Sequence, residues 1–212
     1  MKKVFVVGSA TNYADFIQDA VLVKNISDAD IVLFTGGEDV DPSLYNSKKH
    51  PSTYSNIERD KKEKEVFDKI KPTQLALGIC RGSQFLCIMN GGLLVQDCTN
   101  HAIYYTHGIT DGTIEYEITS THHQMQYPYN LPISDYDVLF KSSELRSYYY
   151  KGDNIKEEVI MSQGEPEIVL YHKENKPKCL AIQGHPEYMR PDSPVIFMLN
   201  NLINKTLNSI SK

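Results

Sequence analysis

One cysteine in this chain lies where a nucleophile would be made. Cys80 sits in Leu77-Gly78-Ile79-Cys80-Arg81-Gly82-Ser83-Gln84, between an apolar run ending at Leu77 and the helical run Phe85-Leu86-Cys87-Ile88-Met89. A residue at such a strand-to-helix turn is held in a strained backbone conformation, and the flanking glycines let neighbouring chain pass close by. Its thiol projects at the top of a sheet beside a helix N-terminus, whose amide dipoles favour thiolate. A base with its orienter is present in Gln183-Gly184-His185-Pro186-Glu187. In extended chain His185 and Glu187 leave on one face, and Pro186 disfavours a helical turn before it. A carboxylate beside an imidazole fixes the tautomer and stabilises the imidazolium. Cys80 would then attack a carbonyl to give a thioester. The N–H of Arg81, after the nucleophile, and the N–H of Gly37, in the loop Gly36-Gly37, are the expected oxyanion donors.

These groups need strands that end together. Residues 4–7, 29–34 and 74–79 read as buried strands, the second running into Thr35-Gly36-Gly37 and the third into Cys80. Residues 179–183 read the same way and run into His185. All three chemical pieces therefore fall at carboxyl ends of strands, where open α/β sheets place their sites. Residues 15–23 read as a short helix. Residues 58–70 read as a helix with Val66, Phe67 and Ile70 inward, its charges outward and Arg59-Asp60 at its start. Residues 114–118 and 167–172 alternate as half-solvated strands. A C-terminal helix over 194–207 is expected to bury Phe197, Leu199, Leu202 and Ile203. The fold class is α/β: a single domain over 1–212, with a largely parallel central sheet flanked by helices and an antiparallel β extension.

The chain has 212 residues, 41% hydrophobic and 23% charged, with formal net charge -5. That composition supports a full core and argues against a nucleic-acid surface. No apolar run reaches membrane-spanning length, so no membrane partner and a cytoplasmic location are expected. Cys87, Cys98 and Cys179 read as small core hydrophobes. His101 and His107 read as surface residues. His122 and His123 are adjacent and point to opposite faces of a strand, so no metal is expected, and no cofactor either.

Taken in order, several pieces resemble the class I glutamine amidotransferases, and within them the γ-glutamyl hydrolases that cleave γ-glutamyl amides of small amines. The pieces are Gly36-Gly37-Glu38-Asp39-Val40-Asp41-Pro42-Ser43-Leu44-Tyr45, Arg59-Asp60-Lys61-Lys62-Glu63, the stretch around Cys80, Gly91-Gly92-Leu93-Leu94-Val95-Gln96-Asp97, Ser120-Thr121-His122-His123-Gln124 and Gln183-Gly184-His185-Pro186-Glu187. The resemblance implies a flavodoxin-like fold of that family, with Cys80 as nucleophile, His185 as base and acid, Glu187 as orienter, and Gly37 and Arg81 as oxyanion donors. It further implies that Gly36 and Gln84 contact the glutamyl head group, that Ser120, Thr121 and His122 hold its α-carboxylate, and that Asp39 or Glu38 meets its ammonium. The implied partner is a small γ-glutamyl substrate such as glutamine. A separate ammonia-accepting synthetase and a homodimer are further partners the resemblance allows. Departures are the short segment before Gly36, the compressed stretch from Gln96 to His123, and Thr35 where a proline is usual. They imply altered recognition of the leaving amine. Two alternatives to a self-sufficient hydrolase stay open: a glutaminase chain feeding ammonia to another chain, and a catalytically silent scaffold.

Overall fold

Apolar side chains alternate between the two faces of a central sheet, and each face is covered by its own helices. The computed structural model describes residues 1–210. Its strands are β1 (Lys2–Val7), β2 (Ala20–Leu22), β3 (Ile31–Phe34), β4 (Leu75–Ile79), β5 (Leu93–Val95), β6 (Asp97–Cys98), β7 (Ala102–Thr110), β8 (Glu115–Thr121), β9 (Met125–Tyr127), β10 (Tyr136–Ser142), β11 (Tyr150–Lys151), β12 (Pro166–Tyr171) and β13 (Cys179–Ile182). Its helices are α1 (Ile57–Phe67), α2 (Arg81–Met89), α3 (Glu157–Gln163) and α4 (Pro194–Ile210). Ile31, Leu33, Leu75, Leu77, Leu180 and Ile182 face Val195, Leu199 and Ile203 of α4. Their sequence neighbours Val32, Phe34, Ala76 and Ala181 face Phe67 of α1 and Phe85 and Leu86 of α2. This is the period-two reading of runs buried on both faces.

The main sheet has the order β2-β1-β3-β4-β13-β12-β10-β7-β8. From β2 to β13 neighbours are parallel, and from β13 to β8 they are antiparallel. The α/β class and the antiparallel extension are as expected. β3, β4 and β13 are adjacent and parallel, so Gly36-Gly37, Cys80 and His185 emerge side by side at one sheet edge. Among the described residues no helix is long and apolar enough to cross a membrane.

Three expectations fail for physical reasons. Residues 15–23 are not a helix: a 3-10 turn spans Thr11–Ala14, Asp19 takes a left-handed φ of 58°, and β2 pairs its backbone with β1. A left-handed residue interrupts any right-handed helix there. Phe197 is 61% exposed, on the outer side of α4, while Leu199 and Ile203 are fully buried. Asp60 and Glu63, expected among the solvated charges of α1, are buried, because a cation lies across from them.

The two faces of α4 make a direct test. Leu199→Ala should lose about 2–5 kcal/mol in urea unfolding through the cavity it leaves. Phe197→Gln should stay within about 0.5 kcal/mol of the parent.

Candidate active site

The turn at Cys80 is built by backbone packing that excludes side chains. Cys80 takes φ 51° and ψ −110° at the N-cap of α2. Its N–H donates to the Ile182 carbonyl at 2.8 Å, and its carbonyl accepts from the N–H groups of Ser83 at 3.0 Å and Gln84 at 3.2 Å. A Cβ on Gly78 would lie 2.5 Å from the Gly82 carbonyl oxygen, and one on Gly82 would run into the Phe34 carbonyl. Both glycines are thus required by the approach of β3, β4 and α2. The consequence is a thiol aimed off the end of the sheet at a helix N-terminus, 8% exposed.

His185 follows β13 and is fastened to β8. Its N–H donates to the Thr119 carbonyl at 2.9 Å, and the Thr119 hydroxyl donates back to the His185 carbonyl at 2.6 Å. Nδ1 of the ring lies 2.7 Å from Oε1 of Glu187, whose side chain is 1% exposed. Cys80 is the other side-chain partner of the ring. Burial opposes a charge on His185, but the contacts with Cys80 and Glu187 outweigh it and push its pKa up to about 10. The imidazole is therefore held as a cation between a thiol and a carboxylate. Tyr188 stacks on it at 4.9 Å between ring centroids and 11° between planes, and Tyr13 lies 6.3 Å away.

A charge network joins the turn at Cys80 to the glycine loop. Gly37 takes φ 129°, open to glycine at little cost. Arg59 donates from Nη2 to the Gly36 carbonyl at 2.9 Å and packs where a Gly37 side chain would be. Thr35 fits the same grip, its carbonyl and hydroxyl each 3.4 Å from Arg59 Nη2. Arg59 Nε pairs with Glu63 at 2.8 Å. Glu63 and Asp60 both pair with the guanidinium of Arg81, which is 1% exposed. Asp60 also accepts the N–H of Asp41 at 2.8 Å. Burial pushes the Asp60 carboxyl up and the charge of Arg81 opposes it. The sequence places Arg81 at the oxyanion through its N–H, and its side chain runs the other way, into this network. Arg59, Asp60 and Glu63 read in sequence as a piece of the family resemblance and as a helix start and face, with no part assigned to them in the site.

The peptidase C26 family model matches residues 14–187. This chain belongs to the peptidase C26 family. That family is class I glutamine amidotransferase-like. The fold is similar to that of a putative GMP synthase protein of Thermoplasma acidophilum, with TM-score 0.60 and 15% identity over 100% of this chain and 94% of that one. It is similar also to a glutamine amidotransferase of Thermotoga maritima, with TM-score 0.55 and 13% identity over 99% of this chain and 94% of that one. A curated relative, Protein NtpR of Enterococcus hirae, is 33% identical over 78 residues, which span 36% of this chain and 33% of that protein.

In this peptidase C26 chain the residues expected at the head group divide into two sets. Gln84 is buried beside the turn, its amide donating to the Gln124 carbonyl at 2.9 Å and its Oε1 without a hydrogen-bond partner among the described residues. Thr121 is exposed. Ser120 and His122 point inward: the Ser120 hydroxyl donates to the His101 carbonyl at 2.6 Å, and His122 Nδ1 lies 2.7 Å from the Gln124 carbonyl. Burial drives the His122 pKa well below its ordinary value, so the ring is neutral. Asp39 already holds His123 at 3.2 Å and accepts the Tyr54 N–H at 2.8 Å, whereas Glu38 is exposed. His101 and His107, expected at the surface, are buried against Glu165 and Glu167 of the antiparallel extension. Cys87 and Cys179 are fully buried, and burial pushes each thiol up to about 12, which leaves them inert.

Removing the cation from the network strands two buried carboxylates. Arg81→Met should cost about 3–5 kcal/mol in chemical denaturation. A loss under about 1 kcal/mol would show that the network is solvated.

Proposed function

We propose that this protein hydrolyses γ-glutamyl amide bonds, in glutamine or γ-glutamyl amines, through a γ-glutamyl thioester on Cys80. The observation that carries the reading is the left-handed Cys80 at the N-terminus of α2, with the His185–Glu187 pair against its thiol. The Cys80 thiolate attacks the side-chain carbonyl carbon, and the N–H groups of Arg81 and Gly37 take the developing oxyanion. His185 gives its proton to the leaving nitrogen as the C–N bond breaks, so ammonia or an amine departs. His185, now neutral, takes a proton from water as the oxygen attacks the thioester, and glutamate leaves as the thiolate is restored. Glu187 keeps the ring oriented and stabilises its charge through both steps. Tyr13 and Tyr188 flank His185.

The purified chain alone should release glutamate from glutamine or from a γ-glutamyl anilide, and Cys80→Ala should release none. Glutamate release that appears only when a synthetase is added would move the chain to the ammonia-supplying reading, and full activity in Cys80→Ala would end both. The pH profile has a defined sign. His185 is raised, so its proton is present at neutral pH and is lost as pH rises towards about 10. The alkaline limb of kcat/KM should therefore lie well above the ordinary histidine range. Glu187→Gln removes one of the two contacts that raise it. The limb should move down by about 1 pH unit or more, and kcat should fall on the order of 10²- to 10⁴-fold.

A further inference from the structure

Away from Cys80, the antiparallel extension buries a group of side chains that the proposed hydrolysis does not use. His101 precedes β7, His122 follows β8 and Glu167 lies in β12, and these three are 0%, 3% and 1% exposed. Each offers one coordinating atom, and these atoms lie within 4.8 Å of one another. The imidazoles of His101 and His122 face each other at 4.6 Å between centroids. We infer that His101, His122 and Glu167 form a binding site for a divalent transition-metal cation of the zinc type.

Unsatisfied atoms inside the cluster support the assignment. His122 Nε2 and Glu167 Oε2 are buried and have no hydrogen-bond partner among the described residues. A buried polar atom left so costs about 1–3 kcal/mol, and both ring nitrogens of His101, in the same cluster, are likewise buried and make no hydrogen bond among the described residues. The outer atoms of His122 and Glu167 are held as the outer atoms of metal ligands are, and that of His101 lies beside a carboxylate. His122 Nδ1 sits 2.7 Å from the Gln124 carbonyl, which fixes the tautomer with a bare lone pair on Nε2. His101 Nε2 lies 3.1 Å from Glu165, which leaves Nδ1 on the side of Glu167, at 3.6 Å. Glu167 Oε1 is held by His107 Nε2 at 2.8 Å. Carboxylate-to-histidine and carbonyl-to-histidine pairs of this kind orient zinc ligands.

Two imidazole nitrogens and one carboxylate oxygen suit zinc better than the harder calcium or magnesium. Bonds of about 2.0–2.2 Å put tetrahedral ligand atoms about 3.3 Å apart, so the cluster closes by about 1 Å or a little more on loading. A cavity of about 500 Å³ has His107 in its wall and Glu115, Glu117 and Glu144 around it, with Arg146 the lone cation among its lining residues. The ligands come from positions 101, 122 and 167, so no spacing motif announces them. The bound cation would clamp β7, β8 and β12 together directly behind the loop from Ser120 to Gln124. The three protein ligands leave the fourth tetrahedral position to a water molecule, and the site is separate from the chemistry at Cys80.

The test is stripping the purified protein with a chelator and titrating it with Zn²⁺ and with Co²⁺. The expected result is one equivalent bound, a Co²⁺ visible spectrum typical of tetrahedral nitrogen and oxygen ligands, and a higher Tm with Zn²⁺ than with Mg²⁺. Cys80→Ala should behave as the parent, which separates this result from the hydrolysis reading. Glu165→Gln, whose carboxylate lies 3.1 Å from the outer nitrogen of His101 and also accepts from the Arg146 and Ser147 N–H groups and the Tyr150 hydroxyl, should weaken Zn²⁺ by about 10- to 100-fold. Glu167→Gln should abolish stoichiometric uptake, and His50→Ala, outside the cluster, should leave it unchanged. Absence of a bound equivalent at micromolar Zn²⁺ in the parent would overturn the assignment, as would equal uptake by Glu167→Gln.

Discussion

The buried pairing of Arg81 with Asp60 and Glu63 is the constraint on which the active arrangement rests. Arg81 is the residue immediately after the nucleophile, so whatever fixes its side chain also fixes the first turn of α2. Glu63 is shared with Arg59, and Arg59 grips the Gly36 carbonyl. One charge network thus sets the distance between the turn that bears the thiol and the Gly36-Gly37 loop, proposed to bear the second oxyanion donor. Against an apolar replacement a buried ion cluster contributes little net stability, and losing one partner is costly. Its consequence in this fold is positional: two loops from different strands are referenced to the same four side chains.

The proposed base, His185, is positioned by a different part of the molecule. β13 delivers His185 to the sheet edge, but the residue is fastened by reciprocal hydrogen bonds to Thr119 of β8. Gly184 allows that approach, since a Cβ there would lie 2.8 Å from the Thr119 carbonyl oxygen. The parallel half of the sheet therefore supplies Cys80 and the Gly36-Gly37 loop, and the antiparallel half locks His185 against them. The proposed metal cluster sits in that same antiparallel half, so a cation there would stiffen the support of the base without touching it.

Much of this was legible in the sequence because the chemical motifs are local. The turn at Cys80, the His185–Glu187 pair and Gly36-Gly37 are each contiguous, and each follows a fully buried strand whose apolar run is plain. What was not legible depends on contacts between distant positions. The run from Lys61 to Glu65 looks solvated until Arg81 is placed across from it. His101, His107 and Glu167 look like scattered polar residues until β7, β10 and β12 become neighbours. Phe197 misled because helical spacing cannot tell the apolar residue at the margin of a face from one at its centre. Residues 15–23 misled because an edge strand of three residues has no periodicity to show.

The account stands or falls on acylation of Cys80. The most direct measurement is acid-quenched mass spectrometry of the protein mixed with glutamine, followed by peptide mapping. The account predicts a mass increase of one glutamyl group on the peptide that carries Cys80, absent from Cys80→Ala and lost when the thioester is cleaved with hydroxylamine. Glutamine turnover with Cys80 never modified, or a glutamyl adduct on another residue, would contradict it.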